Sequence, residues 1–253
     1  MGRLLGLLLY SLAFFVILQL MLVAAVLYWP SFAENIDSVR NLLGSIPIVT
    51  EFVDQMEEYG VVGYVAGQHY FKGCNTLGTA AAVLFAAGAV AGEAHRGTLE
   101  ILLARPYSRA RVLTERYLAG FLAIAVPIFV SSATIPWLAD RVDEIVDLET
   151  FMLGSVHQSI FLLSIYSAAF LLSTVGSNPT RIALTVLFTT TFLFAIYMIK
   201  VVTHYSYYRL CDIEDFVRIE QTRELDWGVL VPLLIASAVL FVASQLAFAR
   251  RVP

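Results

Sequence analysis

Apolar residues gather along this chain into runs of about twenty, the length a helix needs to cross a ~30 Å hydrocarbon layer at ~1.5 Å per residue. The runs fall at about 4–29, 74–92, 115–138, 153–176, 182–203 and 228–248. The pattern predicts an all-α integral membrane protein with about six transmembrane helices, organised as a single domain over residues 1–253. The first run follows Arg3 and continues from Leu4 to Trp29. A secretory leader has an apolar core of only ~7 to 15 residues, so an uncleaved first span is expected.

Between the runs lie two kinds of loop, and their charges suggest an orientation. One set holds Arg3, Arg96, Arg105, Arg109, Arg111, Arg116, Arg181, Arg250 and Arg251 against Glu93, Glu100 and Glu115, a net +6. The opposite set holds seven basic and seventeen acidic residues, a net −10. Basic residues are denser in the first set, whose loops are the shorter ones, which predicts both termini on the cytoplasmic side. In the first outer loop Ile48, Val49, Phe52, Val53 and Met56 recur at helical spacing, with Glu51, Asp54, Glu57 and Glu58 opposite. This predicts an amphipathic helix at the outer surface, either packed on the ends of the spans or acting as an external gate. Tyr205, Tyr207, Tyr208 and Trp227 flank the third outer loop and suit the headgroup layer.

Composition sharpens the class: 59% of residues are hydrophobic and 14% charged. A soluble fold of this size cannot hide that much apolar surface. No basic cluster exists outside short membrane-flanking segments, so nucleic-acid binding is set aside. Ionisable groups inside the runs are scarce: Arg181 and Lys200 fall near ends, and His157 lies within a turn of the outer end of the fourth run. The centres hold Gln19, Ser164, Ser167, Thr189 and Thr190. With little to titrate or to bind a coupling ion, ion-driven transport is disfavoured.

Enzyme chemistry finds no footing either. His157, Gln158 and Ser159 are adjacent, and neighbours on a helix point about 100° apart, so they form no base–nucleophile pair. Neither metalloprotease nor nucleophile-elbow motif occurs, and no G-x-x-x-x-G-K-[ST] phosphate loop is present, so the chain hydrolyses no ATP on its own. Gly88 and Gly92 form a G-x-x-x-G pattern expected to pack against another helix of the chain or of a second copy. Pro127 and Pro136 are expected to kink or shorten the third span. Cys74 and Cys211 fall on the outer side, as free packing residues or as a disulfide, and suggest no metal site.

The most informative stretch is the inner loop 93–117. Gly97 lets the chain leave the axis of the second span, and Thr98 can cap a short helix. Leu99, Leu102 and Leu103 form its apolar face, opposed by Glu100 and Arg105, until Pro106 ends it. Ser108 can cap the next helix, which runs through Arg109, Arg111, Val112 and Arg116 into the third span. The result is a helix-turn-helix elbow joined to two spans, fit to serve either as a lever or as an inert connector.

The pattern Glu93, Gly97-Thr98-Leu99, Leu102-Leu103, Pro106, Ser108-Arg109 resembles the signature E-x-x-x-G-T-L-x-x-L-L-x-x-P-x-S-R of the ABC type-two permease family. The resemblance is specific over about twenty-five positions and looser over the six-span layout. It implies the membrane subunit of an ATP-binding-cassette exporter in the cytoplasmic (inner) membrane of a prokaryote. Two permease chains, identical or different, would pair with two cytosolic ATPases carrying ATP and Mg, and this chain would bind no cofactor of its own. The elbow would then be the coupling element, with Thr98, Leu99, Leu102 and Leu103 in the docking contact and Glu93, Arg96, Glu100, Arg105 and Arg109 at its polar rim. Relatives often begin with a basic amphipathic helix, whereas apolar sequence starts here by Leu4, so residues 3–12 either lack that element or lie at the interface. The rival reading is a non-transporting scaffold or sensor that binds another partner through the same loop. Few charges in the spans mildly favour an apolar or amphipathic cargo.

Overall fold

The computed structural model describes residues 2–43, 47–103, 107–199 and 201–251, and every regular element among them is helical. Helix α1 spans Gly2–Glu34, followed by α2 (Ile36–Leu43), α3 (Pro47–Glu58) and α4 (Gly60–Val65). A π-helical segment (Ala66–Gly78) leads into α5 (Thr79–Ala87), then α6 (Ala91–His95) and α7 (Leu99–Leu103). Next come α8 (Arg109–Ala133), α9 (Ile135–Ala139), α10 (Leu148–Val175) and α11 (Pro179–Tyr197). Two 3₁₀ turns precede α12 (Ile213–Thr222), and α13 (Trp227–Arg250) closes the chain.

Among the described residues five helices are long and apolar enough to cross a membrane: Leu4–Glu34, Arg109–Val142, Leu148–Val175, Pro179–Tyr197 and Trp227–Arg250. The last four start earlier than hydropathy alone suggests because polar caps set their N-terminal ends. Asp147 accepts from Glu149 N, Asn178 from Arg181 N and Asp226 from Gly228 N, satisfying amides that the helix itself leaves open. Helix α1 runs on through Pro30 to Glu34, where Trp29 and Phe32 pack on Tyr64 and the Trp29 indole donates to Glu144 at 2.7 Å. Pro127 lies inside an unbroken α8, contrary to the expected shortening there, while Pro136 stands in the first turn of α9, just after α8 has stopped.

The second predicted span, 74–92, takes a different form. Its residues 74–87 belong to a helical run over 60–87 that is π-wound at 66–78 and stops at Gly88. The chain then breaks before α6, so 74–92 is not one helix. The predicted outer amphipathic helix exists as α3, with Val53 and Met56 buried and Asp54, Glu57 and Glu58 exposed. Arg40 of α2 pairs with Asp54 at 2.8 Å and also with Glu57.

Helix α10 forms the centre, packed on α13, α5, α8 and α11. Its buried face carries Ser155, His157, Gln158, Ser164, Ser167 and Ser173. A second polar layer comes from the π segment, where the Tyr70 hydroxyl donates to Phe151 O at 2.5 Å and His69 Nε2 meets Ser132 Oγ at 3.0 Å. Lipid supplies no hydrogen bonds, so polar side chains of a membrane bundle turn toward one another.

Candidate functional site

The elbow begins where α5 ends. A helix that stops leaves amides and carbonyls without intrahelical partners. Here Ser173 of α10 supplies them: its hydroxyl accepts from Val90 N and Ala91 N, both at 3.0 Å, and donates to Ala87 O at 2.8 Å. One side chain therefore fastens the break at 88–90 to the central helix.

Helix α6 ends in a Schellman turn. Thr98 N donates to Glu93 O at 3.0 Å and Gly97 N to Ala94 O at 3.2 Å, with Gly97 at φ +69°. That left-handed conformation is open to glycine at little cost and strained for a residue with a Cβ. The Thr98 hydroxyl donates to the Glu93 carboxylate, whose oxygens also pair with Arg116 and Arg96, each at 3.4 Å. Burial alone would raise Glu93, but Thr98, Arg116 and Arg96 together hold its carboxyl below the ordinary glutamate value. Arg116 also donates to Ala89 O. Residues 89, 93 and 116 thus tie α6 to the start of α8 across the turn.

The far side of the elbow is fixed separately. Ser108 caps α8, accepting from Arg111 N at 3.2 Å. Arg111 pairs with Glu115 at 2.8 Å and stacks over the Tyr107 ring. Arg109 turns away from the elbow surface and donates to the carbonyls of Phe248, Ala249 and Arg251. Arg251 in turn donates to Thr174 O and Gly176 O. The elbow, the end of α10 and the end of α13 form one hydrogen-bonded platform at the same end of the bundle.

Several predicted site residues land elsewhere than expected. Leu99, assigned to the docking contact, is 6% exposed and packed in this chain's own core, while Ile101 is 64% and Tyr107 56% exposed. Glu93 points inward to Arg116 rather than standing on a rim, and Arg109 serves the 248–251 segment. Arg96 and Glu100 are exposed. Arg105 and Pro106 lie outside the described residues, as do the side chains of Leu102 and Leu103. Gly88 and Gly92 make no common helix face, because the break between α5 and α6 separates them.

Cys74 and Cys211 are both buried and free, with the Cys211 thiol donating to Gln158 Oε1 at 3.1 Å; no disulfide joins them. His157, Gln158 and Ser159 diverge as helix geometry requires: His157 Nε2 meets Leu210 O at 3.0 Å and Gln158 donates to Asn75 at 2.9 Å. Sequence reasoning missed Ser173 and the pairing role of Arg116. No short-range signal marks either, since their partners lie 83 and 23 residues away.

This is the fold of a multi-pass helical membrane protein with an ordered elbow at one end of its bundle. Residues 3–251 match the family described as ABC-2 family transporter protein, and the chain belongs to that family. It is accordingly a transmembrane component of a transporter. No curated protein and no solved structure matches it.

Proposed function

We propose that this chain is the membrane subunit of an ATP-driven exporter of a prokaryotic inner membrane, coupled through residues 93–111 to a separate cytosolic ATPase that carries ATP and Mg. The run 60–87 serves as the sixth crossing, both termini face the cytoplasm, and two permease chains build the transport path. The observation that carries this reading is the bracing of the α6 side of the elbow by Ser173, Glu93 and Arg116, which ties the turn before α7 to α5, α8 and α10. A lever needs such stiffness, whereas a passive connector does not. The docking face is redrawn accordingly: Glu100, Ile101 and Tyr107 stand outward, while Leu99 anchors α7 to the bundle. With no phosphate-loop motif in these residues, the reading assigns ATP hydrolysis to another polypeptide.

The test substitutes Ile101→Asp together with Tyr107→Asp and purifies the chain in mild detergent from its host, with capture of a cytosolic phosphate-loop ATPase by the parent chain as the reference. The expected result is loss of copurification and of ATP turnover, with unchanged membrane insertion and a monodisperse elution profile. Undiminished ATPase capture by the double variant would reject the docking face. Labelling of a His95→Cys variant by an impermeant thiol reagent should require opened membranes; reaction on intact cells would reverse the orientation.

A further inference from the structure

Beside the elbow, a cavity of about 370 Å³ opens between the first turns of α1 and the end of α5. Its walls come from Gly6 and Tyr10 on one side and Leu84, Phe85 and Gly88 on the other, and Arg96 stands at its mouth. The groove is open because its walls lack side chains at two points. A Cβ on Gly6 would meet nothing within 4 Å, and one on Gly88 would meet only Leu84 O of its own turn at 3.7 Å. Tyr10 and Leu84 are 67% and 56% exposed, so the cavity faces the surroundings of the bundle rather than its core.

Arg96 brings a cation to the mouth. The Arg96 guanidinium lies where a Cβ on Gly92 would meet its two terminal nitrogens at 3.8 and 3.9 Å, and it pairs with Glu93 at 3.4 Å. That one carboxylate is shared with Arg116 and with the Thr98 hydroxyl. Arg96 keeps 61% of its side chain exposed, leaving donors free for a further acceptor. Apolar walls with a cation at the polar edge complement one kind of molecule that surrounds this protein.

We propose that the groove binds an anionic phospholipid, its phosphate on Arg96 and an acyl chain between α1 and α5. A free inorganic anion would leave the apolar walls wet, whereas a lipid covers them. A zwitterionic lipid fills the walls but brings its own cation to the mouth. Because Arg96 is the residue before Gly97, an occupied groove braces the elbow's turn from the membrane side. The inference rests on membrane embedding, which family membership establishes, and not on ATPase docking.

The experiment is native mass spectrometry of the intact chain from mild detergent, supplied with phosphatidylglycerol or phosphatidylcholine. Phosphatidylglycerol should be retained on the order of fivefold more strongly, the worth of one basic contact at a membrane surface. Arg96→Gln should erase that preference while the lipids still bind equally. Gly6→Leu, which fills the groove without touching the charge, should lose both lipids and keep the unfolding midpoint of the parent. Equal retention of the two lipids by the parent, or phosphatidylglycerol retention unchanged in both variants, overturns the proposal. Displacement of the lipid by millimolar inorganic phosphate reassigns the site to a soluble anion, and loss of a dimer peak in Gly6→Leu with lipid retention intact reassigns it to a second copy. ATPase capture by these variants is read separately, so either proposal can fail while the other stands.

Discussion

Helices α1 and α10 are both long enough to cross a bilayer, yet 17% of the spanning window of α1 is buried inside the bundle against 67% of that of α10. The more apolar of the two is the one outside. In water the reverse would hold, since burial of apolar surface drives folding. In lipid a leucine gains nothing by moving inward, and the interior goes to side chains that need partners. Helix α1 accordingly presents Leu5, Leu9, Leu12, Val16, Ile17 and Leu20 outward. Helix α10 gathers Ser164 to Tyr207, Ser167 to Tyr117 at 2.6 Å, and Gln158 to Asn75 at 2.9 Å. It also reaches the elbow at one end and α12 at the other, so the interior helix is the one placed to relay movement.

Interior and perimeter differ most at glycine. A Cβ on Gly120 of α8 would lie 2.2 Å from the Tyr166 hydroxyl oxygen and 3.0 Å from its Cζ, and that hydroxyl is committed to Tyr117 O at 3.1 Å. Gly120→Ala should cost about 1–3 kcal/mol in a thermal or denaturant melt in detergent, as overpacking does. Gly6→Ala should change stability by less than about 1 kcal/mol, on the stabilising side, because alanine suits a helix better than glycine. Equal losses at the two positions would erase the distinction between interior and perimeter.

Serine gives the next contrast. Ser173→Ala leaves Val90 N, Ala91 N and Ala87 O without their partner and should cost about 2 kcal/mol. Faster hydrogen exchange at the Val90 and Ala91 amides should accompany that loss. On α1, Ser11 donates once, to Ala123 O at 2.7 Å, and Ser11→Ala should cost under about 1 kcal/mol. Exchange at 90 and 91 unchanged by Ser173→Ala would show that α10 does not hold the elbow.

Acidity separates the two ends that α10 joins, with smaller effects. Burial pushes the Asp212 carboxyl up to about 6, despite hydrogen bonds from Tyr197 and Ile213 N. A raised acid binds its proton more readily in the folded state, so stability rises as pH falls from 7 toward 6, by about 0.4 kcal/mol over that unit. Asp212→Asn should remove this slope from the melting curves. Glu93 has the opposite sign: held low by Thr98, Arg116 and Arg96, it stabilises at neutral pH and loses that contribution as pH falls through its depressed value. Glu93→Gln should flatten the acid limb alone; an altered slope between pH 7 and 6 would contradict the assignment.

Much of this was readable from the chain. Five of the runs of about twenty apolar residues correspond to described helices long and apolar enough to cross a membrane, and Ser108 and Gly97 announced a cap and the turn of the elbow by residue type and spacing. The run 74–92 misled, because hydropathy does not register the change to π winding or the break at 88–90, which depends on a serine 83 residues away. Leu99 misled in a related way: an apolar face on a short helix can turn to a partner or to its own bundle, and periodicity is the same for both.

The amino-acid sequence by itself determined that the chain is helical, that it is built for a bilayer, and where one short loop would fold sharply. These follow from length, apolarity and local backbone preference, which act between near neighbours. Tertiary structure alone decided which span lies at the centre, which side chains brace the elbow and which face of α7 is left outward. Those outcomes depend on pairing polar groups far apart in the chain, in a medium that offers them no water to bond with instead.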